Sequence, residues 1–205
     1  MTRALPWRSL GLAVAAIAVF AAPGASTWLT ADRSAVGAGE LWRLWTGHLV
    51  HASFSHLCWN VSALVALGFL FERDLGRAFW KLIAFSCALI GAGSLVLQPA
   101  LDSYIGLSGL LNSIWVGGAL VCARRSRGVL RNAYLICVLA GLTKIAIEGF
   151  GGVAIFTDPS KLGGLPVPIA HALGCLGGWL SIGGASSRGP TPGDRQILEA
   201  VDARA

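Results

Sequence analysis

The sequence predicts an all-α membrane protein, a bundle of six transmembrane helices. Three observations predict it. Of 205 residues, 55% are hydrophobic and only 13% charged, against about 25% charged in an ordinary soluble domain. Long runs lack any Asp, Glu, Lys or Arg. Lys and Arg are shared unequally among the segments that join those runs. Mean hydropathy is +0.67. The length fits one domain. The net charge of +6 does not indicate a nucleic-acid partner, because the basic residues punctuate apolar blocks and form no basic face interleaved with aromatics.

Each helix follows from a run. Residues 9–31, 44–71, 82–101, 103–123 and 162–187 carry no charge, and about 20 residues suffice to cross a ~30 Å hydrocarbon core. A sixth segment, Asn132 to Phe150, is apolar for twelve residues and then carries Lys144 and Glu148. The predicted spans are 7–25, 51–71, 79–98, 107–123, 132–150 and 168–186. They make a membrane domain over 1–186, followed by a charged, Gly/Pro-bearing cytoplasmic tail over 187–205. With both ends in the cytoplasm, the inside segments hold twelve Lys and Arg and the outside segments hold three: Arg33, Arg43 and Lys161. That bias sets the orientation. The first span also has the look of a leader peptide, with Arg3 and Arg8 before it and "AAPGAS" after it; a retained helix is the expectation. The loop over 26–50 is long and aromatic, and its Trp42 and Trp45 suit the membrane–water interface. The five cysteines form no C-x-x-C pair and all lie in apolar stretches; buried packing residues are expected.

Polar groups inside a span are costly, so each needs a partner or a task. Ser108 lies between Gly106 and Gly109 at the outer end of the fourth span. Small-residue helix packing accounts for the motif as well as a nucleophile does. His171 opens the sixth span at the same depth, and Gly174 and Gly178 follow on nearly its own face, a stripe that can bring the sixth helix against the fourth. A neutral imidazole there can accept a hydroxyl proton. His51, His56 and Asn60 lie at the outer end of the second span, with His56 and Asn60 on one face. Both carry N–H groups able to stabilise an oxyanion; a polar pair bonded to a loop is the plainer reading. A metal site is not expected, since no carboxylate or cysteine joins His51 and His56 at ligand spacing. Serine, base and donors on one side of the membrane are the parts for acyl transfer. No carboxylate lies near His171 in sequence, so a Ser-His dyad is expected. Lys144 and Glu148, at i and i+4, read as an ion pair or loop anchors near the outer surface.

These residues resemble the rhomboid intramembrane serine proteases over nearly the whole six-helix core. The matching pieces are Gly106-Leu107-Ser108-Gly109, Ala170-His171-x-x-Gly174-x-x-x-Gly178, the His51, His56, Asn60 pattern of the second helix, Gly68-x3-Glu72-x3-Gly76 at its far end, and Trp42-Arg43 in the first loop. The resemblance implies a rhomboid-like bundle in which Ser108 attacks a peptide carbonyl and His171 is the base. It implies an oxyanion hole from His56, Asn60 and the Ser108 N–H, structural roles for Arg43 and Glu72, and a gate for the substrate helix over 149–167. No cofactor is implied. The partners are membrane lipid and a transmembrane protein substrate. One departure stands out. Many rhomboids carry an aromatic residue one turn after the nucleophile, stacked on the base; here it is Asn112, which can hydrogen-bond His171 instead.

The compact form and "WRLWTGHLVHASFSHLCWN" are similar to the rhombosortase branch. That implies a bacterial inner-membrane enzyme and substrates with a C-terminal Gly-Gly and membrane-anchor tail. Two other classes remain open: a non-catalytic rhomboid-like binder of membrane helices, and a small transporter whose His and Asn residues line a path.

Overall fold

The computed structural model describes residues 4–151 and 168–183. Residues 152–167 of the expected gate (149–167) and the tail (187–205) lie outside the described residues. Six helices of fourteen residues or more carry the architecture: α1 Trp7–Ala21, α2 Phe54–Leu67, α3 Ala78–Leu97, α4 Ser108–Arg125, α5 Gly128–Gly151 and α6 Pro168–Gly183. A π-helical turn at Gly68–Glu72 prolongs α2 to Leu75. Short helical turns fill the first loop. Two residues of it, Ala31–Asp32 (β1), pair antiparallel with Ser103–Tyr104 (β2) ahead of α4.

Three helical segments, Phe54–Leu75, Ala78–Leu97 and Gly128–Phe150, are long and apolar enough to cross a membrane. Helices α1 and α6 are apolar but shorter. At ~1.5 Å per residue the fifteen residues of α1 reach about 22 Å, short of a ~30 Å core. Helix α4 is the centre of the fold, with thirteen of its eighteen residues buried.

Several boundaries differ from those read off the sequence. Helix α1 stops at Ala21, not at 25, because Pro23 forces Ala22 into an extended conformation (ψ 116°). Helix α2 begins at Phe54, not at 51. Ser53 caps it, its hydroxyl accepting the His56 N–H at 3.2 Å, so His51 sits in the turn before the helix. Helices α4 and α5 run on past the expected 123 and begin before the expected 132, leaving only Ser126 and Arg127 between them. Arg124, Arg125 and Arg131 stay helical because their long side chains carry the charge away from the axis. Of the cysteines, Cys58 is exposed on the outer face of α2, whereas Cys87, Cys122 and Cys175 are buried.

Two polar devices fix the first helix and the first loop. Glu72, buried on the π turn, accepts the backbone N–H groups of Arg8 and Ser9 at 3.0 and 2.8 Å and the Ser9 hydroxyl at 2.7 Å. These are unpaired donors of the first turn of α1, so a carboxylate 64 residues away caps that helix. Arg8 Nη1 completes the joint on the Gly76 carbonyl at 2.7 Å. In the loop, buried Arg43 donates to the carbonyls of Thr27 and Thr30, both at 2.9 Å, and pairs with Glu40 at 2.6 Å. Arg33 Nη2 takes the last carbonyls of α3, Leu95 at 2.6 Å and Gln98 at 2.8 Å. Asp32 caps the turn after β1, and its carboxyl is held below its ordinary range by the Ser34 hydroxyl and the Ala35 N–H. The loop is thereby a folded buttress along α3, with Trp45 Nε1 on the Ala84 carbonyl at 2.9 Å.

The closest packing lies between α4 and α6. A Cβ on Gly174 would collide with the Gly109 carbonyl, and one on Gly178 with the Ser113 carbonyl. Ser113 Oγ donates to the Gly174 carbonyl at 2.8 Å, and Arg124 reaches the Ile182 carbonyl at 2.8 Å. Two backbones meet here without intervening side chains. Gly174→Ala must force α4 and α6 apart, and we expect a lowered melting temperature in detergent of several degrees, corresponding to about 1–3 kcal/mol of overpacking. Gly11→Ala, where nothing lies within 4 Å, should leave the melting temperature unchanged or slightly raised.

Candidate active site

The chain enters α4 through a tightly held corner. Tyr104, 2% exposed, donates its hydroxyl to the Gly106 carbonyl at 3.1 Å. The Gly106 N–H reaches back to the Gly47 carbonyl at 3.0 Å. Gly106 adopts φ +102°, and a Cβ there would lie 2.8 Å from His56 Cε1 and 3.1 Å from Nε2. Both the backbone angle and the imidazole require glycine. Leu107 is fully buried and anchors the turn. Ser108, half-buried, is the first residue of α4. The first N–H groups of the helix have no partner within it and point to this end, where the helix dipole favours negative charge.

His56 and Asn60 approach Gly106 from one face of α2. Nδ2 of Asn60 lies 3.9 Å from the Gly106 Cβ position. It is buried and has no hydrogen-bond partner among the described residues, as is also true of His56 Nδ1. Buried polar atoms ordinarily find partners, so an unspent donor beside a serine at a helix N-terminus is suited to an incoming oxygen. His51 packs edge-on to His56 at 5.0 Å between ring centres and bonds the Leu49 carbonyl through Nδ1 at 3.1 Å. It braces the His56 ring.

Helix α6 supplies His171. The Ala170 carbonyl lies 2.9 Å from where a Gly109 Cβ would be, so the first turns of α4 and α6, which carry Ser108 and His171, meet at the same end of the bundle. His171 and His56 lie within Coulombic reach of each other. The His171 side chain keeps 13% of its surface accessible. Its Nδ1 lies 2.8 Å from Oε2 of Glu148 on α5, and Lys144 Nζ reaches the same oxygen at 2.7 Å.

This corrects two expectations. A carboxylate does meet His171, twenty-three residues upstream of it, and Lys144 and Glu148 form more than a peripheral ion pair: Glu148 is only 4% exposed. Asn112, in turn, donates its Nδ2 to the Ser108 carbonyl one turn back, at 2.8 Å, so this donor is spent on its own helix and not on the imidazole. Sequence reasoning missed Glu148 as the partner of His171, and Tyr104 altogether. The i, i+4 spacing of Lys144 and Glu148 in a span was the signal for the first. A lone tyrosine four residues before the serine was the signal for the second. Trp42, half exposed, lies in the buttress loop away from this corner. Among the described residues no three His, Cys, Asp or Glu side chains converge at metal-ligand spacing.

A family model, the rhomboid domain, matches residues 38–187. A curated relative, "Putative rhomboid protease YdcA" of Bacillus subtilis (strain 168), is 36% identical over 77 residues, 37% of this chain and 39% of the relative. The match thus covers about two fifths of that protein's length. The family match runs over the later part of the first loop, the Gly106–Ser108 corner and the α4–α6 contact alike, and with its apolar helices it makes this chain an integral membrane protein that belongs to the rhomboid family.

Proposed function

We propose that this chain is an intramembrane serine endopeptidase working through Ser108 and His171. The observation that supports the reading is the backbone contact of Gly109 with Ala170, whose chain neighbours Ser108 and His171 lie in the first turns of α4 and α6 at one end of the bundle. All six long helices cross the membrane in this reading. The Lys and Arg bias puts both termini in the cytoplasm of a bacterial inner membrane and the serine near the outer face. The substrate is a single-span membrane protein whose helix unwinds near the cut, since an intact helix hides its carbonyls.

The chemistry balances without a cofactor. Ser108 Oγ attacks the scissile carbonyl carbon as His171 Nε2 takes its proton. The carbonyl oxygen becomes an oxyanion that accepts from Asn60 Nδ2, from His56 and from the Ser108 N–H. Collapse breaks the C–N bond, and the imidazolium gives its proton to the leaving amine. Water, deprotonated by His171, then hydrolyses the ester and restores Ser108.

A finer reading concerns the substrate. The Trp42-to-Asn60 stretch is similar to the rhombosortase branch, so we infer substrates with a C-terminal Gly-Gly and membrane-anchor tail. Mass spectrometry of Gly-Gly-tailed membrane proteins coexpressed with the wild type or with Ser108→Ala should find a new C-terminus near the Gly-Gly only with the wild type. Intact tails in both, with cleavage of other single-span proteins, would leave a general rhomboid protease.

The catalytic reading is tested directly with a fluorophosphonate probe in detergent. Wild type should form a phosphonyl adduct at Ser108, losing fluoride, and Ser108→Ala should not. A folded wild type that neither labels nor cuts any single-span reporter defeats the reading. Asn60→Ala should lower kcat on such a reporter by about 10²–10³-fold with little change in KM. An unchanged kcat removes Asn60 from the oxyanion hole.

A further inference from the structure

We propose that Glu148 is the positioning residue of the base, so that the site works as a Ser108–His171–Glu148 relay, with Lys144 as the counter-charge of the carboxylate. The inference rests on the protease reading above and goes beyond its serine–histidine pair. Three observations carry it. Glu148 is 4% exposed and its Oε2 lies 2.8 Å from His171 Nδ1. The same oxygen is 2.7 Å from Lys144 Nζ, one turn back on α5, and the Lys144 side chain is itself only 11% exposed. The group best placed on α4 to hold the ring, the Asn112 amide, is bonded to the Ser108 carbonyl.

The chemistry follows from donor and acceptor types. An ionised carboxylate only accepts. The proton of a neutral His171 therefore sits on Nδ1, donated to Glu148, and Nε2 carries the lone pair. That is the tautomer that can take a proton from Ser108. When the proton arrives, the imidazolium faces a carboxylate at contact distance in a site shielded from water, where the attraction is stronger than in bulk solvent. The Lys144 ammonium offsets the cost of burying a carboxylate while no imidazolium is present. A purely structural pair would tie α5 into the bundle and hold the same tautomer, but loss of its charge would leave the rate at Ser108 unchanged.

The test separates these roles. In the folded wild type, labelled with ¹⁵N-histidine, the ring nitrogens of His171 should report a protonated Nδ1 and a bare Nε2; the chain has only four histidines, so assignment by substitution is practicable. Glu148→Gln preserves shape and hydrogen-bonding capacity without the charge. We expect it to react with the fluorophosphonate about 10²-fold more slowly or worse, to reach the same final labelled fraction and to melt lower because Lys144 loses its buried counter-charge, with the Nδ1–H signal shifted. Glu148→Asp should recover part of the rate. Wild-type rate and unaltered ring signals in Glu148→Gln overturn the inference while leaving the protease reading intact. If Glu148→Gln does not fold, the wild-type spectrum decides, because a His171 protonated on Nε2 overturns it alone. A wild type unlabelled at Ser108 fells the protease reading, and this inference with it.

Discussion

The approach of α4 to α6 through glycine is the constraint on which the site depends. Gly109, Gly174 and Gly178 let carbonyl groups of one helix lie against the backbone of the other, and the Ser113 hydroxyl satisfies a carbonyl that the contact would otherwise crowd. In a membrane no hydrophobic force draws apolar helices together, so close backbone packing and hydrogen bonds must do it. Depth and azimuth of both helices are then set together. Two residues placed at their mouths, Ser108 and His171, take their backbone positions from that contact.

Around this contact the polar residues divide into those that are spent and those that are not. Glu72 has three donors, Arg43 three acceptors and Arg33 the end of a helix. Glu72 and Arg43 are buried and Arg33 half-buried, and all three are structurally committed. Asn60 Nδ2 and His56 Nδ1 are buried and lack partners among the described residues, and Asn60 Nδ2 and the His56 ring both lie beside Gly106. An uncompensated donor costs roughly 1–3 kcal/mol, a cost that folding carries at this corner. The left-handed Gly106, wedged between Tyr104 and His56, fixes the backbone ahead of Ser108.

Much of this was legible in the sequence, for identifiable reasons. Charge-free runs report helices because the bilayer penalises each exception, and Gly174 and Gly178 repeat with the helix period toward the neighbour they pack on. What was not legible depends on contacts between distant segments. The end of α2 needed Ser53 as a cap, invisible to hydropathy. The continuation of α4 and α5 through their arginines was hidden because charge was read as a boundary, though long side chains carry it off the axis. Glu148 escaped for a related reason. Its neighbour in space, His171, is separated from it by segment 152–167, and proximity along the chain was used where only helix packing could tell. The partner of the Asn112 amide is not legible either, because residues one turn apart offer each other a backbone carbonyl as readily as a side chain.

Helix α5 is the least enclosed of the membrane-length helices, with only 11% of its span buried and Phe150 almost wholly exposed. Yet it brings Glu148 to the imidazole. Any rigid shift of α5 by an ångström or two, whether forced by lipid thickness or by a bound helix, lengthens the 2.8 Å contact by a comparable amount. The placement of the imidazole is therefore geared to the lateral mechanics of the bilayer through a single helix, and thicker or thinner lipid bears on the geometry of this corner as well as on stability.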